Sequence, residues 1–368
     1  MRYLSCLFIF LNTFFVLFSQ MPNTGRLDQL LEYADAGDSA ALKRLISQGS
    51  ISSFIDFGDN QGHNALITAS SKGYKTIVLL LLSQNANVNL SCIHGKTALI
   101  YAADAGYVDI VSYLLAKNAN PNIKINGGTT ALLQASGKGY YSVAEMIINA
   151  GADLKIMGTY RSGNNDGINY NMTPLMIASY NNHDLIVRLL LDRGSDVNYI
   201  NEYGANALFY AIARGNNEIS RLLLERGADA NIAASWGPYG NITPLALASS
   251  LGLTDIVSSL LIGKADINFK MKDGRTALIW ACVFGKSGAV NTLIMNKADL
   301  NMSDNDGKTA LMFAAENGDY ISASYLINAG AHLNILDKFQ KTALMYAMEN
   351  GNSDIVDLLT AASLSYSR

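Results

Sequence analysis

Cysteine and proline are scarce in this chain of 368 residues, which contains three cysteines and five prolines. The cysteines are Cys6, Cys92 and Cys282, and no two of them have the close spacing of a zinc-binding pair. So few cysteines cannot form a disulfide framework, and we expect the fold to be held together by packing alone.

Charge is also low: 27 basic residues face 30 acidic ones, the formal net charge is −3, and 15% of the chain is charged. This balance lacks the basic footprint that nucleic acids require, so no nucleic-acid partner is expected. With 49% hydrophobic residues the chain is an ordered, core-forming protein rather than a disordered one.

The first nineteen residues differ from the rest. Arg2 is followed by an apolar run from Tyr3 to Phe18 and then by Ser19. One positive charge before about sixteen apolar residues is typical of a secretory signal peptide, assigned here to residues 1–19. An uncleaved membrane anchor and a buried helix are the alternatives, because Leu17 is not the small residue that cleavage prefers.

One short phrase occurs nine times, as in Thr97-Ala-Leu-Ile-Tyr-Ala102 and Thr173-Pro-Leu-Met-Ile-Ala178. Its starts are Asn64, Thr97, Thr130, Thr173, Asn206, Thr243, Thr276, Thr309 and Thr342, separated by 33, 33, 43, 33, 37, 33, 33 and 33 residues. This period predicts an all-α solenoid of stacked helix pairs, a fold that offers long surfaces for binding.

The repeat starting at Thr97 shows how each pair is built. Thr97 is suited to cap a helix that ends near Ala105, and Gly106 can then take the positive φ that closes it. Asp109 places an acid at the start of a second helix. Helices this short must bury their apolar stripes against neighbouring repeats.

The turn after the second helix carries a family resemblance. Val187-Arg-Leu-Leu-Leu-Asp-Arg-Gly-Ser-Asp-Val-Asn198 and Arg221-Leu-Leu-Leu-Glu-Arg-Gly-Ala-Asp-Ala-Asn231 resemble the ankyrin repeat family. Leu27–Gly37 and Ala41–Gly49 are similar to its N-terminal capping repeat. The resemblance implies β-hairpin-like fingers between helix pairs and an ankyrin repeat domain over 25–362. Its capping repeat spans 25–58, its nine repeats span 60–92, 93–125, 126–168, 169–201, 202–238, 239–271, 272–304, 305–337 and 338–362, and a tail spans 363–368.

Three features depart from the family pattern. An apolar residue replaces the histidine expected after T-P-L in every repeat, which predicts apolar packing where a hydrogen bond is usual. Lys264 and Lys297 replace turn glycines, so these turns are expected to be strained. Insertions near 157–167 and 234–240 lengthen two fingers, where binding loops are often found.

Motifs for chemistry are missing from the sequence. Gly95-Lys-Thr97, Gly285-Lys-Ser287 and Gly307-Lys-Thr309 lack the upstream glycine of a phosphate-binding loop. No nucleophile recurs with a base at useful spacing, and the histidines are scattered, although His63 and His94 lie on adjacent fingers. No catalytic residue, metal site or cofactor is therefore predicted.

The ends of the first helices and the finger tips form the binding face in ankyrin-like repeats. Most of these positions are polar here, but repeats six and seven place Leu251, Val283 and Phe284 beside the inserted Trp236 and Tyr239. Grouped exposed aromatics are typical of interaction sites, so these five are the predicted partner-binding residues. The alternative is that the inserted loop folds over the patch as a local core.

Taken together, the sequence predicts an exported monomer, periplasmic or secreted, that binds an unknown protein through its concave face without catalysis. The alternative is a membrane-anchored scaffold or accessory subunit that supports another exported enzyme. Membrane contact is expected only if the N-terminal segment stays uncleaved.

Overall fold

A computed structural model describes residues 24–161, 169–235 and 240–366 of the chain. These residues form twenty helices and four short strands. The chain divides into two compact units, Met1–Pro174 and Leu175–Arg368. The predicted signal peptide, residues 1–19, lies outside the described residues.

Unit 1 begins with the capping pair and continues with three further helix pairs. Its helices are α1 (Thr24–Ala36), α2 (Ser39–Ser47), α3 (Ala65–Lys72), α4 (Lys75–Ser83), α5 (Ala98–Ala105), α6 (Val108–Ala116), α7 (Ala131–Lys138) and α8 (Tyr141–Asn149). The first insertion lengthens a finger into an antiparallel pair, β1 (Gly158–Arg161) with β2 (Asn169–Met172), in which Gly158 is opposite Met172.

Unit 2 repeats the same helix pair. Its helices are α9, which starts at the unit boundary (Pro174–Tyr180), α10 (Asp184–Asp192), α11 (Ala207–Ala213), α12 (Asn217–Glu225), α13 (Pro244–Leu251), α14 (Thr254–Ile262), α15 (Ala277–Val283), α16 (Ser287–Met295), α17 (Ala310–Asn317), α18 (Tyr320–Asn328), α19 (Ala343–Glu349) and α20 (Ser353–Tyr366). The second insertion pairs β3 (Ala234–Ser235) with β4 (Asn241–Ile242).

The first helix of each repeat starts and ends as its sequence predicts. At α3 the Asn64 side chain accepts a hydrogen bond from the backbone N–H of Ile67 at 2.8 Å, and at α5 Thr97 caps Ile100 in the same way. Gly73 and Gly106 close these helices with φ of 80° and 76°. Because cap and closing glycine recur with the repeat, helix length is fixed locally.

Two hydrogen-bond ladders tie consecutive repeats together. In the outer loops Asn89 Oδ1 accepts from the N–H of Asn120 at 2.7 Å, and Asn122 Oδ1 accepts from Asp153 at 2.8 Å. Between fingers, the N–H of Ile93 donates to the carbonyl of Gln61 at 3.0 Å. These bonds set the spacing of repeats independently of the apolar core.

The positions that replace the family's histidine are buried as expected. Ile67, Ile100 and Leu133 in unit 1 and Met176, Phe209, Ala246, Ile279 and Met312 in unit 2 are all buried. Met345 in the ninth repeat is 46% exposed. Apolar packing between repeats is therefore confirmed at eight of the nine positions.

Two further expectations concern turns and ends. Lys264 and Lys297 take φ of 64° and 67°, a left-handed backbone that lysine rarely adopts, which agrees with the expected strain in these turns. The last helix continues to Tyr366, so residues 363–366 of the predicted tail belong to α20. Within the described ranges, no helix combines the length and apolar character needed to cross a membrane.

Candidate binding surface

The helix-end surface consists of the two residues before the closing glycine of each first helix. Leu251 is the last residue of α13, and Phe284 directly follows α15, the helix that packs beside α13. Leu251 is 44% exposed and Phe284 is 41% exposed, while Val283 is half-buried. The structure therefore places these three residues together at neighbouring helix ends, and we call them the apolar patch. Trp236 and Tyr239 lie outside the described residues.

An aromatic side chain that the sequence reasoning did not select supports the apolar patch from below. The Trp280 ring is buried, and its centroid lies 5.5 Å from that of Phe284 at an interplanar angle of 31°. Trp280 and Phe284 are four residues apart, and this spacing places side chains on the same helix face. The signal was thus present in the sequence as an i, i+4 aromatic pair.

A basic side chain borders the apolar patch. Lys286 precedes α16, and its stem lies over the turn that follows Leu251, so that a Cβ atom at Gly252 would lie 3.1 Å from Cδ of Lys286. The apolar stem of a lysine can cover such a turn while the ammonium group stays in water. The patch therefore has a positively charged edge.

A row of cations stacked on aromatic rings continues the surface through repeats seven to nine. Arg275 lies 5.1 Å from the Phe313 ring centroid, and Lys308 lies 4.1 Å from that of Tyr346. Lys308 also pairs with Glu316 at 2.6 Å, and Lys341 pairs with Glu349 at 2.6 Å. These contacts fix long side chains in place, and sequence reasoning missed the row. Its signal was a basic residue immediately before the phrase and an aromatic at the phrase's fifth position.

The helix-end surface is not polar at every position that the sequence suggested. Tyr180 at the end of α9 is buried, because the Arg214 guanidinium lies 4.9 Å from its ring centroid and Tyr210 meets it edge-on at 6.2 Å. The neighbouring repeat thus covers this aromatic. Leu251 and Phe284 have no such cation over them among the cation–ring contacts of the described residues.

In unit 1 the corresponding surface is polar and tightly bonded. Asp104 lies 4.0 Å from Lys96 and 3.7 Å from Lys138, so ion pairs cross from one repeat to the next. Tyr101 beneath them lies 3.2 Å from His63. Burial, reinforced by the contact with Cys92, raises the pKa of Tyr101 to about 12.

Reactive and metal-binding groups are not gathered at this surface. Cys282 lies buried in α15, and burial raises the pKa of its thiol, so it is held in the un-ionised form. In the part of the chain that the structure covers, no cluster of three or more histidine, cysteine or carboxylate side chains could hold a metal ion. The arrangement is suited to contact with another macromolecule.

Comparison with known proteins identifies the repeat. A family model described as "Ankyrin repeats (3 copies)" matches residues 30–125, 91–158, 159–234, 237–304 and 285–366. No curated protein matches the sequence. These spans cover nearly all of the described helices, and their repeats are the 33-residue helix pairs seen in both units. The chain therefore belongs to the ankyrin repeat family, whose repeats mediate protein–protein interaction.

Proposed function

We propose that this protein is an exported ankyrin-repeat protein that binds another protein through its concave face and catalyses no reaction. The observation that carries the proposal is the exposure of Leu251 and Phe284 at adjacent first-helix ends. Export is inferred from Arg2 and the apolar run that follows it.

The apolar patch has the composition of an interface centre. Phe284 is held by Trp280, so its ring loses little conformational freedom when a partner covers it. Lys286 borders the patch, and repeats seven to nine carry further cations fixed by rings and carboxylates, which supply charged groups for a rim. Interfaces commonly combine a dry aromatic centre with such a polar rim.

The test is an affinity measurement with the partner co-purified from the native host. Phe284→Ala and Trp236→Ala are each expected to weaken binding by about 2 kcal/mol or more, as measured by calorimetric titration. Ile262→Ala is the matched control, because Ile262 is 84% exposed at the end of a second helix, away from the helix-end surface.

The melting temperature separates binding from folding in the same variants. Phe284→Ala is expected to leave the melting temperature within a few degrees of the parent, since its ring is already partly exposed. A variant that melts much earlier but keeps its affinity would show that the patch is a covered core and would overturn the proposed site.

A membrane-anchored scaffold supporting another exported enzyme is the second candidate function. It is favoured by Leu17, because a large residue at that position disfavours removal of the apolar run. N-terminal sequencing of the protein from its host distinguishes the two: a start within Gln20–Asn23 indicates a free protein, and a start at Met1 indicates an anchored one.

A further inference from the structure

The fingers of unit 1 are joined by one backbone hydrogen bond per repeat. The N–H of Ile93 donates to the carbonyl of Gln61 at 3.0 Å, that of Asn126 to His94 at 3.3 Å, and that of Thr159 to Gly127 at 2.9 Å. Each finger thus uses the N–H at the same position to reach the finger before it. Each of these bonds joins the backbones of two neighbouring fingers at equivalent positions.

The first described finger has the same donor, and no finger precedes it among residues 24–57. Asn60 lies thirty-three residues before Ile93, at the equivalent position, and it is an exposed residue. Across residues 24–161, no acceptor bonds the Asn60 N–H. The turn around it is closed by the bond from Gly62 N–H to Asp59 carbonyl at 2.9 Å, so the donor is held in a fixed place. An exposed backbone donor of this kind can bond a carbonyl of an incoming extended chain.

A cavity of about 620 Å³ lies beside this first finger. Its apolar lining comes from Leu27 and Leu31 of α1, Phe57 of the first finger, and Leu90 and Ile93 of the second finger. Ile93 is 58% exposed, and Leu31, Phe57 and Leu90 are half-buried. The volume is within the range of ligand pockets, about 300–1,000 Å³, and is sufficient for one or two bulky apolar side chains.

The polar lining of the cavity is acidic. Asp28, Asp56 and Asp59 contribute carboxylates, and no lysine or arginine is among the residues that line it. Asp56 accepts a hydrogen bond from the backbone N–H of Asn87. Asp59 accepts from the backbone N–H groups of Gln61 and His63. The Asp28 side chain lies on the exposed side of α1 and makes no hydrogen bond or ion pair with any described residue. Its negative charge is thus available to a cation outside the repeat stack.

We propose that the first finger of unit 1 binds an extended segment of another protein that carries a lysine or arginine beside a bulky apolar residue. A carbonyl of the segment accepts from the Asn60 N–H, as Gln61 accepts from Ile93 within the stack. The apolar side chain enters the cavity, and the cation lies against Asp28. This site is separate from the apolar patch and does not rest on the proposed function.

The test uses the full-length chain and two fluorescent, end-blocked peptides. Both alternate the same apolar residues with polar ones, which are lysine in one peptide and glutamate in the other. Fluorescence anisotropy is expected to show saturable binding of the lysine peptide only. Asp28→Asn is expected to weaken that binding about 2–5-fold, the range for an exposed ion pair.

Asn60→Pro tests the backbone donor directly. Proline suits the second position of a turn, and at this position it removes an N–H that bonds nothing inside the stack. We expect about 2–10-fold weaker binding of the lysine peptide with an unchanged melting temperature. Phe284→Ala is the control and should leave peptide binding unchanged, so failure of this site and failure of the apolar patch are distinguishable.

Four results would overturn the proposal. Equal binding of both peptides would show that the acidic lining does not select the peptide. Unchanged binding by Asn60→Pro would show that the Asn60 N–H does not bond it. Slow hydrogen exchange at the Asn60 amide without any peptide binding would show that the chain's own residues fill the cavity. Self-association in sedimentation velocity that Asn60→Pro abolishes would identify a second copy as the occupant.

Discussion

The two units build the same helix pair but join consecutive pairs differently at the turn between helices. In unit 1 that turn carries Tyr74, Tyr107 and Tyr140, and each ring covers the closing glycine of the repeat before it; a Cβ atom at Gly73 would lie 2.8 Å from Tyr107 Cζ. In unit 2 the equivalent residues include Asn216 and Asn352.

The asparagines of unit 2 use hydrogen bonds where unit 1 uses rings. Asn216 Nδ2 donates to the carbonyls of Ser179 and Tyr180 at 2.8 and 3.2 Å, and Asn352 donates to Ala315 at 2.8 Å. The space over Gly215 is open, since nothing lies within 4 Å of a Cβ placed there. The backbone ladders are common to both units, so the turn residue is free to vary in chemistry. In unit 1 the closing glycine is required for two reasons: its φ is positive, and a Cβ atom would collide with the tyrosine ring.

The largest expected effect is the loss of stability when the last repeat of unit 2 is deleted, compared with deletion of an internal repeat of unit 1. Deleting Lys338–Arg368 removes the repeat that covers Met312, which is buried, whereas Met345, its equivalent in the last repeat, is 46% exposed. Each large apolar side chain uncovered in this way costs about 1.5–3 kcal/mol. We expect a strong loss of stability, measured by thermal melting, with aggregation detected by light scattering.

Deleting residues 93–125 from unit 1 is the matched control, because the cut ends rejoin in register. Tyr140 would then follow Gly73 one repeat later and could take the place of Tyr107 on it. A folded, shorter protein with a cooperative melting transition is expected. If this deletion unfolds the protein while the terminal one does not, stability is not a sum of neighbouring contacts.

An intermediate effect is expected from alanine at equivalent closing glycines of the two units. Gly73 and Gly215 have φ of 80° and 70°, so either alanine meets a left-handed backbone, at about 1–2 kcal/mol. Gly73→Ala also drives a methyl group into the Tyr107 ring, which adds about 1–3 kcal/mol of overpacking. The free energy of unfolding from urea denaturation should therefore fall further for Gly73→Ala.

A double-mutant cycle identifies the cause of that difference. In a Tyr107→Ala background the additional cost of Gly73→Ala should disappear, leaving the value seen at Gly215. An additional cost that persists without the ring would mean that the two units do not differ in the way described.

The sequence predicted features set by local chemistry and the apolar packing between repeats, and it missed specific side-chain contacts from one repeat to the next. Thr97 and Gly106 delimit α5 because a cap and a left-handed glycine act within one turn of the helix. By contrast, the cover of Tyr180 at the end of α9 comes from Arg214, a residue of the next repeat. Reading the fifth phrase position down the repeats would have revealed Trp280 beneath Phe284.

At the candidate site, the sequence predicted exposed apolar side chains at the helix ends. Leu251 and Phe284 were found by reading one position down all nine repeats, and the structure exposes both. The exposed donor at Asn60 could not be read from residue types, since it depends on which backbone bond the first finger lacks. Such a contact depends on which residues of two neighbouring fingers lie opposite each other. In the sequence this becomes visible only when the repeats are aligned with one another.

The smallest expected effect is a gain of stability in the turn after the second helix. Unit 1 places Asn85 and Asn118 there, with φ of 59° and 61°, whereas unit 2 places Lys264 and Lys297 there, with φ of 64° and 67°. Asparagine tolerates this backbone better than lysine because its short polar side chain can bond locally. Lys264→Gly should therefore raise the free energy of unfolding by up to about 1 kcal/mol, and Asn118→Gly should raise it by less. Urea denaturation of the two variants measures the difference, with the denaturant slope unchanged if both act on the turn alone. Equal gains at Lys264 and Asn118 would show that the lysine turns carry no additional strain, and the units would then differ at the turn between helices but not at the turn that follows them.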